Sequence, residues 1–367
     1  MRKFPAIALG LMIAACAFGA DIVNHVDICN EEDRFAAWPR NGGSWSWGDE
    51  ILVGFTYAYF KEDSGHDIDP DRPSEHRFAR SMDGGESWTM EDTRLAGASS
   101  EAASLTEPMN FLHPDFALHM RGNHFSFSYD RGRSWEGPFA FPDFGRNRLL
   151  ARTNYLVEGE NRLRTTFTVT KDAGGEGVVI HVKTDDGGIT WEEIAQVTPE
   201  PGPEGYSIMP TTARLSETEW LSVVRRREAV DDERHFWIES WYSDDDGESW
   251  TLINKPTEEN RGNPGHMIVL RDGRLALVYG HRAEPYGQRA RLSSDNGRSW
   301  SDEFILRDDG ANWDLGYPVS VQRTDGKIVT IYYHNSPDFP GRVYLAATIW
   351  DPGEGQGVTP VPEHHTR

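Results

Sequence analysis

The stretch Ser243-Asp-Asp-Asp-Gly-Glu-Ser-Trp250 gathers three acids in series, a flexible glycine, two hydroxyls and an indole. Acids at that spacing could do general acid/base work or bind a cation. A second kind of chemistry is suggested by cations. In Leu221-Ser-Val-Val-Arg-Arg-Arg227, strand alternation puts Arg225 and Arg227 on one face and turns Arg226 away. Arg282 ends a similar run, Val278-Tyr-Gly-His-Arg282. Two successive strands ending in arginine would form an anion site. A third set comprises His113 and Asp115 in Asn110-Phe-Leu-His-Pro-Asp115, and Arg152, Asn154 and Tyr155 in Ala151-Arg-Thr-Asn-Tyr155. A histidine or tyrosine beside arginines suits β-elimination on a uronate, in which cations neutralise the carboxylate while the other group moves the proton.

The elements that must position these residues come from a repeat. The octet pattern [S/T]-x-D-x-G-x-[S/T]-W occurs five times, starting at Ser81, Ser128, Thr184, Ser243 and Ser293. A period of this size signals a solenoid or propeller. Each octet reads as a hairpin lock. Its central Asp accepts backbone N–H groups, its Gly allows φ > 0, and its Trp opens the next strand and packs. The acids of Ser243–Trp250 are therefore assigned to the fold and not to catalysis.

Six polar turns break apolar runs: Trp47–Glu50, Met120–Asn123, Glu158–Glu160, Ser216–Thr218, Arg271–Gly273 and Thr324–Gly326. Six turns against five octets leave the sixth unit without an outer strand. Asp21–Cys29, with Ile22, Val23, Val26 and Ile28, can supply it and close a ring. The expected fold is all-β: a six-bladed β-propeller with four-stranded blades over residues 20–351, closed by an N-terminal strand, with a loose tail at 352–367.

The chain has 367 residues and a formal net charge of -22. That charge disfavours broad contact with nucleic acid or anionic membrane. Arg2 and Lys3 followed by the apolar run Ala6–Ala15 read as an export signal over residues 1–19, too short to span a bilayer. Export to the periplasm or medium is expected. The alternative is lipidation at Cys16, within Ile13-Ala-Ala-Cys16. No transmembrane segment is expected. Cys29 would remain as the sole mature cysteine, which excludes an intramolecular disulfide and a Cys-rich metal site; no metal or other cofactor is expected.

The octets are Asp boxes. With six blades and an export signal, the chain resembles the sialidase (neuraminidase) superfamily over nearly its whole mature length. The resemblance implies an exported exo-glycosidase acting on a carboxylated sugar of a glycan. It implies three arginines on the substrate carboxylate, a tyrosine nucleophile assisted by a glutamate, and an aspartate acid/base. Arg34, in Asp33-Arg-Phe-Ala-Ala-Trp-Pro39, matches the first arginine without the family's Ile-Pro. Arg225 and Arg282 match the later ones, with Arg152 a further substrate-binding candidate. Asp67 matches the acid/base, with Asp69 second, in the long loop Lys61–His76. Tyr317, in Asp314-Leu-Gly-Tyr-Pro-Val-Ser320, matches the nucleophile, with Trp313 and Asp314 beside it. The assisting glutamate has no counterpart. Counting back from Asp272 reaches Asn263-Pro264, and from Glu217 reaches Met209, which leaves Glu239 and Glu284 as substitutes. Without it, Tyr317 is a weak nucleophile and His113 becomes the catalytic candidate of a polysaccharide lyase. The remaining alternative is a glycan-binding propeller without catalysis.

Overall fold

A computed structural model describes residues 20–61, 66–95, 101–172, 174–231, 233–257 and 263–355. The expected leader with Cys16, and residues 356–367 of the expected tail, lie outside the described residues.

Alternation of apolar and polar residues along short runs, punctuated by tight turns, builds antiparallel hairpins that follow one another round a ring. After β1 (Asp21–Cys29), blade 1 holds β2 (Arg34–Ala37), the single-turn helix α1 (Pro39–Gly42), β3 (Ser44–Trp47), β4 (Glu50–Tyr59), β5 (Glu75–Ser81) and β6 (Thr89–Met90). Its β2 and β3 are one inner strand interrupted by α1, both pairing with β4. Blade 2 holds β7 (Ala117–Gly122), β8 (His124–Ser128) and β9 (Glu136–Ala140). Blade 3 holds β10 (Leu149–Arg152), β11 (Tyr155–Val157), β12 (Leu163–Thr170), β13 (Glu176–Thr184) and β14 (Glu192–Gln196). Blade 4 runs β15 (Tyr206–Arg214), β16 (Trp220–Val230), β17 (Glu233–Ser243) and β18 (Thr251–Thr257), and blade 5 runs β19 (Gly265–Val269), β20 (Leu275–His281), β21 (Gly287–Ser293) and β22 (Phe304–Arg307). Blade 6 has β23 (Gly316–Gln322), β24 (Ile328–His334) and β25 (Tyr344–Asp351). Its fourth strand is β1, which pairs with β25 from Asp21↔Asp351 to Cys29↔Leu345. The N-terminal strand thus closes the ring, and the all-β six-bladed propeller expected from the turns and octets is the fold.

Blade 2 departs from the four-stranded plan. The run before β7 carries Pro108 and Pro114, which cannot donate to a ladder, and among its described residues it forms no inner strand. The end of β10 leans across instead, pairing Ala151 with Gly122 and Arg152 with Arg121, and joins blades 2 and 3 into one eight-stranded sheet. The Met120–Asn123 turn accordingly joins the second and third strands of its blade, whereas the other five join the first and second.

The core lies between blades. Ile51, Val53 and Phe55 of β4 pack against Val329 and Ile331 of β24 and Leu345 and Ile349 of β25. The octets bolt these faces together. In each, the first hydroxyl accepts the N–H of the glycine four residues on, and both carboxylate oxygens of the Asp are used: in Ser243–Trp250, Asp245 Oδ1 accepts Ser249 N at 2.9 Å and Asp245 Oδ2 accepts Ser249 Oγ at 2.5 Å. Gly247 is left-handed (φ 82), and a Cβ there would lie 2.3 Å from the His181 ring of blade 3. The turn therefore needs glycine both for its backbone and for its approach to the neighbouring blade. Cys29 is buried, which pushes its thiol up to about 12 and leaves it unreactive.

Hydrogen bonds to Asp83, Asp130, Asp186, Asp245 and Asp295 hold all five octet carboxylates below the usual range, against a desolvation effect that is the largest single influence on all but Asp245. A depressed folded-state value means stability that is present above the ordinary aspartate value and lost below it. Thermal stability should fall cooperatively as pH drops below about 4. Asp245→Ala should cost on the order of 1 kcal/mol in denaturant unfolding. A variant as stable as the parent at neutral pH would remove the locking role.

Candidate functional site

The inner strands of blades 1, 4 and 6 share an unusual step at one mouth of the ring. Trp38, Met209 and Tyr317 each precede a proline and each is left-handed, with φ of 61, 55 and 47. Bulky residues rarely adopt this conformation, and the step costs energy unless neighbours hold it. They do: Thr168 Oγ1 accepts Met209 N at 3.0 Å, and Asn263 Oδ1 accepts Tyr317 N at 3.4 Å. The ladder slips at the same points, between Ile208 and Thr211 on β15 and between Gly316 and Val319 on β23. A bulge of this kind re-aims a side chain. Here it delivers Tyr317, only 8% exposed, to the axis of the ring.

Three guanidinium groups surround that phenol. Arg225, midway along β16, donates through Nη1 to the Tyr317 hydroxyl at 3.2 Å. Arg282 has its Cζ 5.6 Å from the Tyr317 ring centre. It is fixed by Nη2 to the Tyr333 hydroxyl at 2.7 Å and by Nε to Leu315 O at 3.2 Å. Arg152 is aimed by Nε to Asn41 Oδ1 at 2.8 Å, with Glu176 3.9 Å away. Tyr206 lies beneath Arg225 and Arg227, at 5.1 and 4.3 Å. Burial pushes the Tyr317 hydroxyl up, but the charges of Arg225, Arg282 and Arg152 and the hydrogen bond from Arg225 outweigh it and leave it below the ordinary tyrosine value. Tyr333, whose ring is 5.7 Å from that of Tyr317, goes the other way. Burial raises it far above the ordinary value despite Arg282, helped by Asp314, whose Oδ1 accepts its hydroxyl at 2.8 Å. Neighbouring groups with values pushed apart are the usual mark of assigned proton roles.

Asp314 also accepts His66 Nδ1 at 2.7 Å. The His66 ring is 5.8 Å from Tyr317, 6.1 Å from Trp313 and 5.5 Å from Trp38. A buried carboxylate on one imidazole nitrogen fixes the tautomer and leaves Nε2 to exchange protons. Beneath the site, Arg40 of α1 is 1% exposed and donates to Thr153 O at 3.3 Å, to Thr211 Oγ1 at 2.8 Å and to Pro210 O.

Of the residues singled out by sequence, Arg152, Arg225, Arg282 and Tyr317 meet here. Asp67 is adjacent in the chain to His66 but exposed. Asp69 Oδ1 accepts Asp71 N at 3.0 Å, in a turn. Arg34 is not in the cluster. It alternates with Phe35, the residue that packs on Trp38 and Tyr333, so it faces the other way and lies over Tyr59 and Tyr57 at 3.8 and 4.8 Å. His113 is on the octet side: its ring lies 4.8 Å from octet residue Tyr129, and Asp115 accepts octet residue Arg131 at 2.6 Å. Glu239 is occupied by Trp237 and Trp241 at 2.9 and 3.0 Å, and Glu284 is exposed. The sequence reading passed over His66, Tyr333, Trp38 and Glu176. The recurrent residue-proline step of the inner strands was the available signal for Trp38. Among the described residues, no group of three or more His, Cys, Asp or Glu could hold a metal ion, and no helix is long and apolar enough to cross a membrane.

Removing a neighbouring cation raises the value of a phenol. In spectrophotometric titration, one tyrosine of the wild type should ionise ahead of the rest, and Arg225→Ala should abolish that early step. An unchanged titration would show that Tyr317 is not the group so tuned.

Comparison with curated protein sequences gives no match. Among solved structures, a protein of unknown function from Dyadobacter fermentans is similar at TM-score 0.69 and 22% identity, over 91% of this chain and 99% of that one. An α-L-arabinanase from Penicillium chrysogenum, solved with arabinobiose, is similar at TM-score 0.58 and 13% identity, over 90% and 98%. A sialidase from Trypanosoma rangeli, solved with sialic acid, is similar at TM-score 0.52 and 13% identity, over 90% of this chain and 59% of that one. These likenesses establish the fold shared with propeller glycosidases. The BNR repeat-like domain matches residues 114–330, more than half of the chain and four of the five octets, and the protein belongs to that family.

Proposed function

We propose that the protein is a carbohydrate-active enzyme that hydrolyses a glycosidic bond at a carboxylated sugar. The observation that carries this is the buried Tyr317 hydroxyl beside Arg225 and within the field of Arg282 and Arg152. Fixed guanidinium groups suit a carboxylate and have no comparable use on a neutral sugar such as arabinobiose. Tyr317 is the nucleophile. A phenol brings less negative charge to a sugar already bearing a carboxylate than a second carboxylate would, and its lowered value offsets the missing glutamate. The proton for the leaving oxygen comes from the loop above, from His66 paired with Asp314, with Asp67 at the entrance as the alternative donor.

One observation favours a second reading, β-elimination. The side-chain hydrogen bond of Tyr317 is to a guanidinium, and no carboxylate among the described residues accepts its proton. As a phenolate it would remove the proton α to a uronate carboxylate while His66 protonates the departing oxygen. The C–O bond breaks and a C=C bond forms in the ring. Both readings place a carboxylate on the same arginines.

Purified protein should release free acidic sugar from sialosides or from uronate-terminated glycans. An unsaturated, ultraviolet-absorbing product from uronate polysaccharides would select elimination. Tyr317→Phe should lower kcat by about 10²–10⁴-fold with KM little changed, whereas Arg225→Lys should act mainly on KM. Glycan binding without either product would overturn catalysis.

A further inference from the structure

A second cleft, of about 640 Å³, opens between blades 1 and 2, where blade 2 lacks an inner strand of its own. Leu118 and Met120 take one face of β7, so His119 and Arg121 face blade 1. From β5, His76 faces back, alternating with Arg77 and sharing its side with Phe78. The His76 and His119 rings meet edge to face at 4.9 Å. His119 is 4% exposed. Its Nε2 and both nitrogens of His76 are shut off from solvent, and none of the three has a hydrogen-bond partner. Burial, reinforced by the charge of Arg121, holds His76 at about 3 and His119 also far below the ordinary value, so both rings are neutral near pH 7. A neutral imidazole still presents one N–H and one acceptor, and buried polar groups of this kind are almost always satisfied. Arg121 is exposed and forms no ion pair among the described residues, while the acid on this rim, Glu75, is paired with Arg77 at 2.8 Å.

Strand pairing relates the cleft to the central site. Arg121 is the register partner of Arg152, which places their Cα atoms about 5 Å apart on the same face of the sheet. Both look towards blade 1: Arg152 binds Asn41 there, and Arg121 lies close enough to influence His76. A row of guanidinium groups therefore leads from Tyr317 through Arg152 to Arg121. The volume is that of a site for a sugar-sized ligand, larger than a lone inorganic anion needs. The neutral imidazole of His119, with the Ser126 hydroxyl on the same wall, matches sugar hydroxyls, and the His76 ring backs it.

We propose that this cleft is a second subsite, which takes the carboxylated sugar next to the one held at Tyr317. Arg121 takes its carboxylate, and Ser126 and His119 take its hydroxyls, above the enclosed ring of His76. The substrate is then an oligosaccharide with acidic units in series. This assignment rests on reading the central site as a carbohydrate site.

The test uses the full chain carrying Tyr317→Phe, so that ligand persists, with galacturonate, trigalacturonate and inorganic phosphate as probes. Trigalacturonate should move the side-chain nitrogen resonances of His76 and His119 and bind more tightly than galacturonate. Arg121→Gln should remove about tenfold or more of its affinity and leave that of galacturonate unchanged. The subsite is overturned if trigalacturonate moves neither imidazole, or if Arg121→Gln leaves its affinity intact. It is also overturned if phosphate alone moves them. Failure of the central reading is distinguishable: Arg225→Gln would then leave the binding of both sugars unchanged, whatever the two histidines report.

Discussion

A guanidinium group with no carboxylate beside it among the described residues sits near the axis of this ring, and the mouth of the propeller is arranged around it. Arg40 is fully enclosed, and burial, with the nearby charge of Arg152, lowers its value to about 9. It stays in place because Thr153, between β10 and β11, and Pro210 and Thr211, on β15, accept its hydrogen bonds. Breaking such a buried set leaves a charge unsatisfied and costs several kcal/mol. The bonds pin α1 across the ring and hold the inner strand of blade 1 open. The two ends of that single turn then serve the site: Trp38 precedes it and borders His66, and Asn41 within it aims Arg152.

The result is a cationic centre in a strongly acidic protein. The chain carries a formal charge of -22, yet Arg40, Arg152, Arg225 and Arg282 converge on one small volume. Like charges held together by a rigid scaffold form a preorganised environment for an anion, because the reorganisation has been done by folding. The same crowding explains the divergence of the two tyrosines. Tyr317 feels three cations, whereas Tyr333 has Asp314 as its acceptor.

The ring and its closure were legible in the sequence because they rest on local, repeated chemistry. An Asp that accepts its own downstream N–H groups looks the same in all five octets, and the unpaired run Asp21–Cys29 had one vacant ladder to fill. Arg225, Arg282 and Tyr317 were legible for a related reason, since alternation and distance from a turn fix where a strand residue ends up. Loops carry no such period. Of the neighbours His66 and Asp67, the sequence favoured the acid, while the structure turns the imidazole onto Asp314. Arg34 sits one residue out of phase with the face that meets the site. His113 precedes a strand that starts on the octet side, because blade 2 has lost the inner strand that would have reversed the direction. Pro108 and Pro114 were the signal available for that departure.

The last ladder to form has a consequence for how the protein is made. Asp21 pairs with Asp351, so the first of the described strands waits for the last before it has a partner. Contacts this far apart in sequence are slow to form, because the entropy of closing the loop must be met before any bond repays it. During synthesis the early blades can assemble in turn, but β1 stays a bare edge, able to pair with other chains, until β25 arrives. The seam between β1 and β25 is therefore where the ring is most open to exchange with another chain.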